Sequence, residues 1–127
     1  MVKCDDTWHK SVGQLDREST GEHVANIAKR YPEAKIIMAH LGGNYYHGIK
    51  SIRNLPNVWT DISGTCDERD AVDYTLKNVG ADRILYGTDL PGSIQDCIAQ
   101  VEESAATPEE KEKIYYKNAL KLFRRLK

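Results

Sequence analysis

The 127-residue chain is poor in the features that mark several broad protein classes. No apolar run approaches the ~20 residues that span a bilayer. Charge of one sign is not in excess: 18 basic residues face 19 acidic ones, for a net charge of −1. A nucleic-acid binder would show a basic surplus or stripe, so nucleic acid is not an expected partner. The three cysteines, Cys4, Cys66 and Cys97, are odd in number and far apart, with no CxxC pair. They form no disulfide framework, and a reducing, cytoplasmic setting is expected. The sequence opens Met1-Val2-Lys3-Cys4-Asp5-Asp6 with no apolar leader segment, which fits that expectation. Neither a GxGxxG nor a Walker pattern occurs, so a nucleotide-binding, flavodoxin-like reading has only the Leu41-Gly42-Gly43-Asn44 loop to rest on.

What is present is a rhythm. Apolar residues make up 40% of the chain, enough for one core and one domain. Short apolar runs at Lys35–Ala39, Asn57–Ile62 and Arg83–Tyr86 predict three strands, and a weaker fourth opens the chain around Met1 to Trp8. Between them lie helical patterns. Ser19 and Glu22 have the spacing of a capping box, followed by Val24, Ile27, Ala28 and Tyr31 on one face and by the breaker Pro32. Further helices are predicted from about Tyr45 to Asn54 and around Val72, Leu76 and Val79, the latter stopped by Gly80. Thr107-Pro108-Glu109-Glu110 opens a terminal helix over 107–126, with Tyr115, Ala119, Leu122 and Leu126 as its buried stripe. Strand and helix alternate at spacings of ~20–30 residues, which predicts an α/β fold of βα units on a parallel sheet.

In such sheets, ligands sit at the carboxyl ends of strands. His40 closes the first clear strand, Asp61 and Ser63 the second, and Thr88-Asp89 the third; Asp5, Asp6 and His9 stand near the end of the opening candidate. An imidazole and a carboxylate from neighbouring strand ends can hold a divalent metal such as zinc, or the carboxylate can take a proton from an activated water. Plainer readings stand beside these. His40 could be a hydrogen-bonded structural residue, and Asp89 could start a turn or cap a helix near Ser93. Asp61 could face inward or be a satisfied structural group. Gly42 and Gly43 permit a tight turn and leave room for substrate. His23 and His47 are expected at the surface, and Tyr45-Tyr46 as packing.

The segment from Pro32 to Gly43, ending Met38-Ala39-His40-Leu41-Gly42-Gly43, resembles the sixth-strand motif of the amidohydrolase-related group of metal-dependent hydrolases and decarboxylases. Leu55 to Gly64 resembles its seventh strand, Ala81 to Pro91 its eighth, and Asn118 to Phe123 its closing helix. The resemblance implies half of a TIM (β/α)8 barrel, about four strands, with residues 1–127 as one domain holding strands five to eight. Whole barrels of this kind run to ~250 residues. In the family, a His-x-His on strand one, histidines on strands five and six and an aspartate on strand eight bind the metal. The resemblance therefore makes His40 and Asp89 metal ligands, with Asp89 also handling the proton of the attacking water. No His-x-His occurs in the chain, and Asp6-Thr7-Trp8 stands where relatives read His-Thr-Trp. Asp6 and His9 are the substitute ligands, and Trp8, Gly42 and Gly43 the candidates for substrate contact. The expected cofactor is a divalent metal, zinc first. The expected partners are a small-molecule substrate and either a second copy of the chain or the missing N-terminal half-barrel. An open half-barrel is expected to leave both outer strands unpaired and to expose an inner face of Ile36, Met38, Val58 and Ile84, which would drive self-association.

Overall fold

The structure, a computed structural model, describes residues 19–64 and 69–123. The opening strand candidate, Asp6, Trp8 and His9 lie outside the described residues. Three strands form one sheet in the order β1 (Ile36–Met38), β2 (Val58–Asp61), β3 (Ile84–Leu85), each pair parallel. The connections are α2 (Tyr45–Ile52) and α3 (Ala71–Val79), and α1 (Gly21–Arg30) precedes β1. After β3 come α4 (Ile94–Glu103) and a terminal helical stretch of α5 (Pro108–Glu112), a π turn (Lys113–Lys117) and α6 (Asn118–Leu122).

Helix starts follow local chemistry, with one shift of register. α1 is capped by Thr20, not Ser19: the Thr20 backbone N–H donates to His23 Nδ1 at 3.1 Å, so the reciprocal partner is His23 and not Glu22. The buried face moves accordingly to Gly21, Val24, Ala25 and Ala28, while Ile27 and Tyr31 are exposed. α5 keeps the predicted capping box, Thr107 with Glu110. α1 and α2 cross at glycines. A Cβ on Gly48 would stand 2.2 Å from the Leu41 carbonyl oxygen, and one on Gly21 would stand 2.6 Å from Gly48 Cα.

The sheet faces correct an expectation. Ile36, Met38, Val58 and Ile84 belong to the core shared with Val24, Ile49, Ile52 and Val72, so they lie on the helix-covered face. The opposite face carries Ile37 and Trp59, both half-buried, with Asp61 and Leu85. Strand side chains alternate, so a one-residue change of parity exchanges the faces. In a parallel sheet both faces are apolar, and hydrophobicity does not say which is which.

The terminal stretch differs too. Its buried positions are Ile114 and Asn118, with Tyr115, Ala119 and Leu122 only partly covered. The buried pair keeps the i, i+4 spacing of the expected stripe but starts one residue earlier, within the π turn. Asn118, polar but 1% exposed, donates from Nδ2 to the Ala81 and Ile84 carbonyls at 2.7 and 2.8 Å. Tyr45 and Tyr46 pack on Tyr74 of α3, with ring centroids 5.5 and 4.4 Å away.

Candidate functional site

All three loops at the carboxyl ends of the strands meet. The turn after β1 (His40–Gly42) places two consecutive non-glycine residues in the left-handed region, His40 at φ +57° and Leu41 at φ +51°. Gly42 and Gly43 follow at φ +83° and +81°, the tight turn expected of them. The room at Gly42 is taken by the chain itself, because a Cβ there would stand 2.7 Å from Gly48 Cα and 2.9 Å from Met38 Sδ. Gly43 is half-buried.

Asp61, at the end of β2, holds this turn. Its Oδ1 accepts from the His40 backbone N–H (3.1 Å), the Ser63 N–H (3.0 Å) and the Ser63 hydroxyl (2.5 Å). Asp61 is thus an inward-facing residue and a hydrogen-bonded anchor at once, and both readings left open by the sequence hold. Gly64 lies against the His40 ring: a Cβ there would meet Cγ at 3.0 Å and Nδ1 at 3.2 Å. Gly64 and Ser63 thereby share the positioning of His40. The only signal for this in the sequence was the Ser-Gly pair that closes the second strand.

After β3 the chain reaches Asp89 through Tyr86, Gly87 and Thr88. Asp89 is the third non-glycine residue with positive φ, at +59°. The Leu90 N–H closes back on the Thr88 carbonyl at 2.6 Å, so Asp89 is the centre of a three-residue turn. This conformation is strained for an L-residue, and such strain concentrates at functional sites. The carboxylate comes to 3.7 Å from the imidazole, Asp89 Oδ2 to His40 Nε2. His40 is mostly covered, its side chain 14% exposed, while Asp89 stays open at 36%.

The structure therefore brings His40 and Asp89 together, with Asp61 and Ser63 behind the first. The pair fits two donors of one divalent cation, since tetrahedral donors bonded at about 2.1 Å lie about 3.4 Å apart. Among the described residues no third His, Cys, Asp or Glu joins them. A separate cavity of about 300 Å³, lined by Lys35, Trp59, Asp82, Arg83, Asn118 and Lys121, lies near the opposite end of the sheet and does not include either residue.

The sequence model of the amidohydrolase family matches residues 17–125, nearly the whole chain. This chain belongs to that family. No curated protein matches it. Solved structures share the fold. A dihydroxybenzoic acid decarboxylase from a Polaromonas species, with bound manganese and an inhibitor, superposes with a TM-score of 0.64 at 21% identity, over 84% of this chain and 39% of that one. A 5-carboxyvanillate decarboxylase from Sphingomonas paucimobilis gives 0.60 at 18% identity over 79% and 36%. An amidohydrolase from Burkholderia multivorans with bound zinc gives 0.66 at 18% identity over 80% and 48%. This chain spans less than half the length of each. The described sheet is accordingly an open part of the TIM barrel: parallel βα units without closure. No helix among the described residues is long and apolar enough to cross a membrane.

Proposed function

We propose that this chain carries the sixth- and eighth-strand contributions to the metal site of an amidohydrolase-type hydrolase or decarboxylase acting on a small molecule. The observation that supports the reading most is the 3.7 Å approach of His40 Nε2 to Asp89 Oδ2 across strand ends. Residues 1–127 are read as one domain, strands five to eight of the barrel. His40 and Asp89 are the ligands for a divalent cation, zinc or manganese, with Asp6 and His9 as additional donors. Such an ion would polarise a carbonyl or carboxylate oxygen as a Lewis acid. Asp89, the more open of the two, also takes or returns the proton in transfer to or from substrate. Asp61 and Ser63 fix the backbone that aims the imidazole, Gly42 serves the turn, and Gly43 and Trp8 are the residues assigned to substrate contact. A catalytic zinc site uses about three protein ligands. The remaining donors belong to the first half of a barrel, so the chain alone is inactive and works, in the cytoplasm, with a complementary half-barrel.

Titration of the full chain with Mn2+ and with Zn2+, followed by NMR of the histidine imidazoles, tests this. Mn2+ is expected to broaden His40 selectively and weakly. The effect should be lost in Asp89→Ala, no other imidazole should broaden in its place in His40→Ala, and no stoichiometric metal should remain after dialysis. Tight binding that survives both substitutions would overturn the assignment. A second reading, a non-catalytic α/β half-barrel that acts as an oligomer or a small-molecule binding module, is favoured by the lack of a third ligand among the described residues. It predicts no response of His40 to either ion.

A further inference from the structure

Strand β3 is the edge of the described sheet, yet its outer backbone groups are engaged. In a parallel ladder, successive residues direct their N–H and C=O to opposite edges. Leu85 faces β2, because the Ile62 N–H donates to its carbonyl at 3.2 Å. Ile84 and Tyr86 therefore face outward, where a further strand would pair. The terminal helix reaches both. Asn118 Nδ2 donates to the Ile84 carbonyl at 2.8 Å, and the Ile114 carbonyl accepts the Tyr86 N–H at 2.9 Å. The Ile84 N–H turns back to the Ala81 carbonyl.

The π turn makes the second contact possible. In an α-helix the Asn118 N–H would bond the Ile114 carbonyl, four residues back. Here it bonds the Lys113 carbonyl, five residues back, which relieves Ile114 of its α-helical donor. Ile114 and Asn118 are also the two buried positions of this stretch, at 0% and 1% exposure. Backbone irregularity, burial and both edge contacts fall on the same two residues.

We propose that the terminal helix is an edge lock. It occupies the backbone positions of β3 through which a second copy of this chain would add a strand, and self-association through this edge requires the helix to lift. The expectation that both outer strands stand unpaired is thereby corrected at β3. Bare edges are templates for strand addition, and covering one with a helix is a known protection. The lock rests on the fold alone; where β3 is strand eight of a barrel, a complementary half-barrel that adds strand one has to lift the same helix.

Residue-resolved amide exchange and light scattering on the full chain test it. In the wild type, the Tyr86 amide should exchange together with the amides of Lys117 and Asn118, in the same sub-global opening, and before the Ile62 amide. In Asn118→Ala its protection should fall about tenfold. The mass of that variant should then rise with concentration from 14.4 kDa towards twice that value. A folded Asn118→Ala chain that stays monomeric with an exposed Tyr86 amide would overturn the proposal. If that variant does not fold, the wild type still decides: a Tyr86 amide that remains protected after the Asn118 amide has exchanged means that the helix is not what covers the edge.

Discussion

The two ends of the sheet are held by opposite means. At the amino end, long polar side chains saturate backbone carbonyls. Arg83 alone donates to five: Val79, Ile52, Leu55, Val58 and Arg53, at 2.7–3.4 Å. Asn57 Nδ2 lies within 3.1–3.2 Å of the Ala28, Tyr31 and Ala34 carbonyls, tying the end of α1 to the start of β2. Burial lowers the pKa of the Arg83 guanidinium, and the carbonyls offset that desolvation by solvating the charge from within. At the carboxyl end the relation is reversed. There the backbone is strained at His40, Leu41 and Asp89, and its groups serve to aim side chains. Barrels of this kind place chemistry at the carboxyl end and stability at the amino end. In this partial barrel the two ends differ in the same sense, with stapled carbonyls at the amino end and strained turns at the carboxyl end.

Removing Arg83 should break the comparison most visibly. Arg83→Ala leaves several carbonyls without a donor and is expected to cost roughly 2–4 kcal/mol, read as a fall in the urea midpoint at unchanged slope. Arg83→Lys should recover little, because one ammonium cannot span the fork that reaches Ile52, Arg53 and Leu55. His40 should keep its response to Mn2+ in whatever fraction stays folded. A stable Arg83→Ala chain would show that the amino-end carbonyls are satisfied by water and that the staple is incidental.

Gly64→Ala comes next, at the carboxyl end. Alanine at φ +98° is strained, and its Cβ would press on the His40 ring at 3.0 Å. A loss of more than about 1 kcal/mol is expected. Unlike Arg83→Ala, it should also move the His40 imidazole resonances in the folded state. Unchanged His40 shifts would mean that the ring is not seated on Gly64.

Asp89 gives the smaller test with the more telling sign. Asp89→Gly relieves a left-handed residue and should stabilise the fold by about 0.5–1 kcal/mol, while Asp89→Ala, which keeps the strain without the carboxylate, should destabilise it. Both should lose the response to metal. If both substitutions destabilise equally, the positive φ at Asp89 stores no strain, and the contrast between the two ends loses one of its supports.

The sequence disclosed these two ends unequally. Strand positions, the glycine stops and the convergence of His40 with Asp89 were readable, because apolar runs and strand order determine where loops emerge. The staples were not. Arg83, Asn57 and Asn118 bond to backbone carbonyls up to 37 residues away, and such contacts have no sequence period. Asn118 in particular is a polar residue in a stripe expected to be apolar. The π turn was equally hidden, since a single wide turn leaves composition and capping unchanged. Sheet parity failed for a third reason: both faces of a parallel sheet bury apolar residues, so Ile36 and Ile37 look alike in sequence and differ only once the helices are seated.

The smallest expected effect lies outside both ends and serves as their baseline. Tyr115, whose ring packs on Tyr86 at 5.4 Å, donates from its hydroxyl to Glu102 Oε1 at 2.7 Å, and Lys111 Nζ meets Glu102 Oε2 at 3.0 Å. The Tyr115 hydrogen bond, then Lys111, holds the Glu102 carboxyl below its ordinary 4.5. A depressed carboxyl contributes stability above its unfolded value, and that contribution is lost as pH falls through the folded value. Burial first, then Glu102, raises the Tyr115 phenol above its ordinary 10.0. That contribution is present below pH 10 and is lost as pH rises through the folded value. Tyr115→Phe removes the second and the larger part of the first, leaving what Lys111 contributes. Its stability should therefore vary less with pH than the wild type's below about pH 4.5 and above about pH 10, and in parallel with it between. Glu102 is exposed and screened, so the acid-side difference should be small and should shrink further with added salt. An acid limb identical in the two proteins would remove Glu102 as its source and leave Glu110, held low by the Thr107 backbone and hydroxyl, as the carboxyl that titrates there.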